Sequence, residues 1–198
     1  MRFVPKASLA VTAVALAALS TAAFAHIGDH SHMSFAEGLA HPLSGLDHLL
    51  AMVAVGLWAS QIGGRALWLL PLTFPVVMAA GAALGFEGAP LPWVEIGIAA
   101  SVLVLGALIA FKAKPSLAVS VPLVAAFAAL HGYSHGVDLP GSVSALTYAG
   151  GFVAATLVLH LTGISIGLAA NRWPARFVAQ AAGGAIAALG AVLLVLSH

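Results

Sequence analysis

The sequence predicts an all-α integral membrane protein, a six-transmembrane-helix bundle preceded by a cleavable N-terminal signal peptide. Three observations carry that expectation. Of the 198 residues, 62% are hydrophobic and only 7% charged, with mean hydropathy +1.08, whereas soluble domains carry roughly 25% charged residues. Six apolar runs of bilayer-spanning length follow one another, since a helix needs about 20 apolar residues to cross the hydrocarbon core. The charges are also sorted along the chain in a way that only a membrane topology explains.

Residues 1–25 read as the signal peptide. Arg2 and Lys6 supply a basic start, an apolar stretch follows, and Ala23-Phe24-Ala25 is a small-x-small cleavage site. Residues 26–198 form the membrane domain, with spans expected at about 42–60, 66–85, 93–111, 117–135, 143–169 and 176–197. Turn chemistry marks the joints: Gly63-Gly64, Lys114-Pro115 and Trp173-Pro174. Pro71 and Pro75 interrupt the backbone ladder of the second span. The pairs Gly81/Gly85, Gly132/Gly136 and Gly163/Gly167 read as helix-packing faces of the small-xxx-small kind.

With the mature N-terminus outside, the loops after the first, third and fifth spans are cytoplasmic. They hold Arg65, Lys112, Lys114, Arg172 and Arg176, all the lysines and arginines beyond the leader, as the positive-inside rule requires. Asp29, Glu37, Asp47, Glu87, Glu95 and Asp138 fall in outer segments or outer helix halves, giving a negative mouth that attracts cations. The mature N-terminus and this mouth are expected on the outer side of the membrane.

The first span opens expensively, as His41-Pro42-Leu43-Ser44-Gly45-Leu46-Asp47-His48. If one helix runs through this stretch, His41 and His48 are two turns apart on nearly one face, with Pro42 in the first turn. An ionised aspartate near mid-membrane costs about 2.5–3.5 kcal/mol, so a ligand that uses these groups is expected. The fourth span ends with a second cluster, His131, His135 and Asp138, on one helical face. The first span runs inward and the fourth outward, so both clusters reach the outer side. Four imidazoles and two carboxylates without thiolate suit Ni²⁺, Co²⁺, Zn²⁺ or Cu²⁺. There is no cysteine, which excludes disulfides and thiolate sites. Weaker candidates for metal contact are His26, His30 and His32 at the mature N-terminus, and His160 deep in the fifth span. Taken singly, each histidine has a plainer reading, as an interfacial residue, a solvated tail or a hydrogen-bond link between helices. Glu37 and Glu95 are candidates for lining the mouth.

The stretch from His41 through Asp47-His48 resembles the first-helix signature of the HupE/UreJ family of hydrogenase- and urease-associated nickel permeases. Leu130 to Asp138 resembles the family's second signature, Phe-His-Gly-x-Ala-His-Gly-x-Glu. His131, Gly132, His135 and Gly136 match it, while Leu130, Ser134 and Asp138 depart from it. The resemblance implies uptake of Ni²⁺, or Co²⁺, for metalloenzyme assembly, with a functional link to hydrogenase or urease maturation. Together with the leader, it implies a bacterial inner membrane, with the metal clusters on the periplasmic side. No prosthetic group, catalytic residue or nucleic-acid partner is expected; the partners are the metal ion and membrane lipid. Two other classes compete. An intramembrane metalloenzyme would use the same ligands to activate water, but no HExxH is present. A haem-binding electron carrier would place axial histidines on facing helices across the membrane. No GxxxxGK[ST] phosphate loop occurs either.

Overall fold

The computed structural model describes residues 34–88, 90–137, 145–171 and 176–197. The leader, His26, His30, His32 and Asp138 lie outside the described residues. Among the described residues the regular structure is helical: α1 (Phe35–Ser44), α2 (Leu46–Ile62), α3 (Ala66–Phe86), α4 (Val94–Ala110), α5 (Leu117–Val137), α6 (Ala145–Asn171) and α7 (Arg176–Leu196). Four of these (α3, α5, α6 and α7) are long and apolar enough to cross a membrane, and α1 with α2 makes a fifth when counted as one bent span. At 17 residues, α4 is a shorter apolar helix.

The start of the first span differs from expectation. The chain does not enter one helix near residue 42. Two helices meet at Gly45, bent by 87°, and Pro42 lies inside α1 rather than in a first turn. The cause is local. Ser34 and Glu37 form a reciprocal capping box that starts α1 well before the apolar run. At the other end, Gly45 adopts extended backbone, so it closes α1 and caps α2 at once. His41 and His48 therefore do not share a helix face; they come from two helices set nearly at right angles.

Around this corner, α2 is buried on most of its circumference, including Ala51, Met52, Leu57 and Trp58, as suits a helix apolar all round. The other helices pack mainly as pairs, α3 with α5, α4 with α7, and α6 with both α1 and α2. Large apolar side chains such as Val76, Phe111, Leu146 and Val195 face outward, which a water-soluble surface would not tolerate over so wide an area. α3 continues as helix through Pro71 and Pro75.

Glycines set the closest approaches. A Cβ on Gly132 or Gly136 would collide with the carbonyls of Met78 or Ala82, and one on Gly81 or Gly85 with those of Ala129 or Tyr133. The small-residue pairs of α3 and α5 thus interlock reciprocally, backbone against backbone. Gly56 and Gly163 do the same for α2 and α6, against the carbonyls of His160 and Val53. At the end of the bundle away from Gly45, Trp58 Nε1 donates to the Ala113 carbonyl at 2.9 Å and Gln61 Nε2 to that of Ile109 at 3.1 Å. Arg65, Lys112 and Lys114 gather at this end, whereas Glu37, Asp47 and Glu95 belong to the other.

The interlock yields a direct check. Gly136→Ala is expected to lower stability by about 1–3 kcal/mol, the range for overpacking a tight contact, read as a lower thermal midpoint of the detergent-solubilised protein. Gly184→Ala, where an added Cβ meets nothing within 4 Å, is expected to leave the midpoint unchanged.

Candidate metal site

At the Gly45 corner, α1 contributes His41, the first turn of α2 Asp47 and His48, and the last turns of α5 His131 and His135. The four imidazoles form a contiguous cluster. Ring centroids lie 4.8 Å apart for His41 and His135, 4.7 Å for His48 and His131, and 4.4 Å for His48 and His135. The two sequence clusters thus meet, although by a corner rather than along one face. His131 is fully buried and His48 is 8% exposed.

The hydrogen bonds fix which ring atoms are available. Asp47 Oδ1 accepts from the His48 backbone N–H at 2.8 Å and lies 2.7 Å from His48 Nδ1. The carboxylate therefore holds Nδ1 as the protonated atom and leaves the lone pair on Nε2, which is buried without a partner. This is the carboxylate–histidine arrangement that orients imidazole ligands in metal sites. Asp47 also sits in the first turn of α2, where the helix dipole favours a negative charge. Through Oδ1 it orients the His48 ring.

A second support came from a residue that sequence reasoning did not single out. Ser101 Oγ donates to the Ile98 carbonyl at 2.7 Å and lies 3.0 Å from His131 Nε2. With its only proton spent on Ile98, the hydroxyl accepts from Nε2–H, leaving the His131 lone pair on Nδ1, which is likewise buried and unpartnered. His135 Nε2 is the third such atom. Nothing short-range in the sequence links Ser101 to His131, 30 positions away.

Aromatic side chains wall the cluster. Phe152 lies 4.5 Å from His135 and 5.8 Å from His41, Tyr148 lies 5.8 Å from His41, and Phe74 lies 5.6 Å from His131 (all between ring centroids). An open cleft of about 670 Å³ is lined in part by Glu95, Tyr133 and Ser134. Glu95 Oε1 accepts from Ser134 Oγ at 3.5 Å, and Glu37 is engaged in the α1 capping box. The rings meet mostly edge to face, and among the described residues no three histidine, aspartate or glutamate side chains are arranged to hold a metal ion as they stand. The imidazoles are gathered but not closed around a common point. His160 lies apart from them, beyond Phe74, whose ring centroid is 5.3 Å away.

A polytopic helical membrane protein with a partly buried polyhistidine cluster at one end is the class that this fold and site define. The family profile described as HupE / UreJ protein matches residues 14–193. Protein HupE of Rhizobium leguminosarum bv. viciae is 49% identical over 192 residues, covering 96% of this chain and 99% of that protein. The chain belongs to the HupE/UreJ family. No solved structure matches it.

Ser101→Ala is expected to strand the His131 Nε2–H without an acceptor and so to cost about 1–3 kcal/mol, measured by thermal unfolding. The ¹⁵N resonances of His131 are expected to show loss of the single tautomer. Retention of that tautomer in the variant would contradict the role given to Ser101.

Proposed function

We propose that this chain is a metal-ion permease of a bacterial inner membrane, taking up Ni²⁺ or Co²⁺ for the maturation of a metalloenzyme such as hydrogenase or urease. The metal is cargo, not a resident cofactor, and no catalytic step is assigned. One observation carries the reading: four imidazoles from three helices gather at one corner, and three of their ring nitrogens, on His48, His131 and His135, are buried without hydrogen-bond partners. Family membership supports the same direction.

Six spans are the topology that fits this role, with α1 and α2 as the first and α4, despite its length, as the third. The sorting of Arg65, Lys112, Lys114, Arg172 and Arg176 favours cytoplasmic placement of the end opposite the histidines. The cluster then faces the periplasm, beneath a mouth edged by Glu95. His41, His48, His131 and His135 are the proposed ligands, oriented by Asp47 and Ser101. Asp138 follows α5 closely enough in sequence to complete the shell, and His26, His30 and His32 would deliver ions to it.

Chemistry selects the cargo class. Imidazole nitrogen with carboxylate suits divalent first-row cations, while a hard, oxygen-only set would favour Mg²⁺ or Ca²⁺. The arrangement also suits transit. A set of rings that must rotate to close on the ion binds it less tightly than a rigid cage, and an ion in transit must leave as well as arrive. The membrane potential favours inward movement of a divalent ion by about 4.6 kcal/mol per 100 mV.

The test is ⁶³Ni²⁺ uptake at submicromolar concentration in cells lacking their own nickel transporters. The intact chain is expected to import the ion, and His48→Ala, Asp47→Asn and His131→Ala to lose about tenfold or more at equal membrane abundance. Unchanged uptake in all three would leave a permease but remove this site from its route.

A further inference from the structure

The metal site accounts for only one side of α1. Phe35, Leu39 and Leu43 recur along that helix every four residues, and all three are exposed, by 49%, 40% and 52%. At about 100° per residue they make one stripe. Glu37, His41 and Ser44, also exposed, fall on the opposite side of the same helix. Gly38 and Pro42, its two buried residues, lie on a third side. There a Cβ on Gly38 would collide with the Tyr148 carbonyl, and one on Gly151 with the Phe35 carbonyl, so α1 is pressed sideways against α6. The helix thus has protein along one side, polar groups along another, and an apolar stripe that the described residues leave open.

The direction of α1 says what that stripe meets. α2 has 17 residues, about 25 Å at 1.5 Å per residue, close to the roughly 30 Å of a hydrocarbon core. Within the first span, α2 therefore makes most of the crossing by itself. α1 turns from it by 87°, and so runs along the membrane surface when α2 runs across. The stripe is also continuous with surface that faces lipid. The Phe35 ring lies beside Gly150, where an added Cβ would meet Cδ2 at 3.9 Å. Gly150 shares a face of α6 with Leu146, which is exposed. Trp93, exposed at the start of α4, marks the same end of the bundle with the side chain enriched where bilayer meets water.

We propose that α1 is an interfacial helix seated in the outer surface of the bilayer, with Phe35, Leu39 and Leu43 among acyl chains and Glu37, His41 and Ser44 toward water. Its partner is phospholipid. The stripe carries no charge, so the contact needs no particular headgroup. Helices of this kind lie in the interface with the apolar side sunk about 5–10 Å. The seat bears on the mouth, because His41 is the one residue of the imidazole cluster carried by α1, 4.8 Å from the His135 ring. Lipid beneath α1 and the α6 backbone beside it hold His41 in place. That positioning role rests on the permease reading; the interfacial seat does not.

The chain has no cysteine, so single cysteines in the intact protein can carry spin labels one at a time. With the protein in phosphatidylcholine liposomes, collisions of each label are measured with oxygen, which concentrates among acyl chains, and with chromium oxalate, which stays in water. Labels at Phe35→Cys, Leu39→Cys and Leu43→Cys are expected to show an oxygen-to-oxalate ratio several-fold above that at Ala40→Cys and Ser44→Cys, at a depth of about 5–10 Å. Equal ratios at all five positions would overturn the seat. So would stripe labels shielded from both agents, the result expected if a second copy of the chain or another protein covers this side. Leu39→Glu and Leu39→Met test the hold on His41 through ⁶³Ni²⁺ uptake at equal membrane abundance. The charged variant is expected to import several-fold more slowly and the apolar one at the unaltered rate. Unaltered uptake by Leu39→Glu would overturn the positioning role. Absence of uptake by the unaltered chain would overturn the permease and that role together, while the labels decide the seat independently.

Discussion

A buried imidazole nitrogen without a partner is the constraint around which this molecule is built. Each such atom destabilises the fold by about 1–3 kcal/mol, and the penalty is harder to escape where no water reaches. Here His48 Nε2, His131 Nδ1 and His135 Nε2 are all in that condition at one end of the bundle, and both His160 nitrogens deeper in. The opposite ring atoms of His48 and His131 are held by Asp47 and Ser101. The free atoms are therefore not careless packing: Asp47 and Ser101 set the tautomers that leave them with lone pairs. In the proposed permease, a passing cation is their partner.

Holding such rings together requires backbones that cannot drift. The glycine contacts between α3 and α5, and between α2 and α6, bring carbonyls to within the reach of a missing Cβ. In a lipid environment, where burying apolar surface gives helices little reason to associate, this close van der Waals packing carries much of the association. The same helices position the functional groups: α5 brings His131 and His135, α6 brings the aromatic wall and His160, and α3 brings Phe74. Packing and site are therefore one construction. The Gly45 corner adds what straight helices would not, since the 87° bend turns His41 toward His135 from outside the axis of α2.

Much of this was legible in the sequence, and the failures have physical causes. Composition and periodic apolar runs identified the helical membrane class, and the opposed sense of the first and fourth spans placed His48 beside His131. The glycine pairs marked their own contacts. The corner was misread because Pro42 suits a first helical turn, which set the start of the first helix there and left Gly45 unmarked as a break. Ser34-Phe35-Ala36-Glu37 was the missed signal: a Ser-x-x-Glu box starts a helix six residues before His41. The hold of Asp47 on the His48 ring was not legible, because spacing alone does not show which side-chain atoms meet. Ser101 and Phe74 were invisible for a different reason, since their roles exist only through contacts between helices far apart in sequence.

The central claim is that imidazoles from α1, α2 and α5 bind one transition-metal ion together. X-ray absorption at the nickel edge addresses it most directly, on protein in lipid nanodiscs at one equivalent of Ni²⁺. A background with His26, His30 and His32 replaced by alanine removes any contribution from that segment. The expected spectrum shows nitrogen and oxygen neighbours with the outer-shell scattering of about three or more imidazoles, diminished by His48→Ala. A spectrum of oxygen neighbours alone, unchanged by His48→Ala, would contradict it.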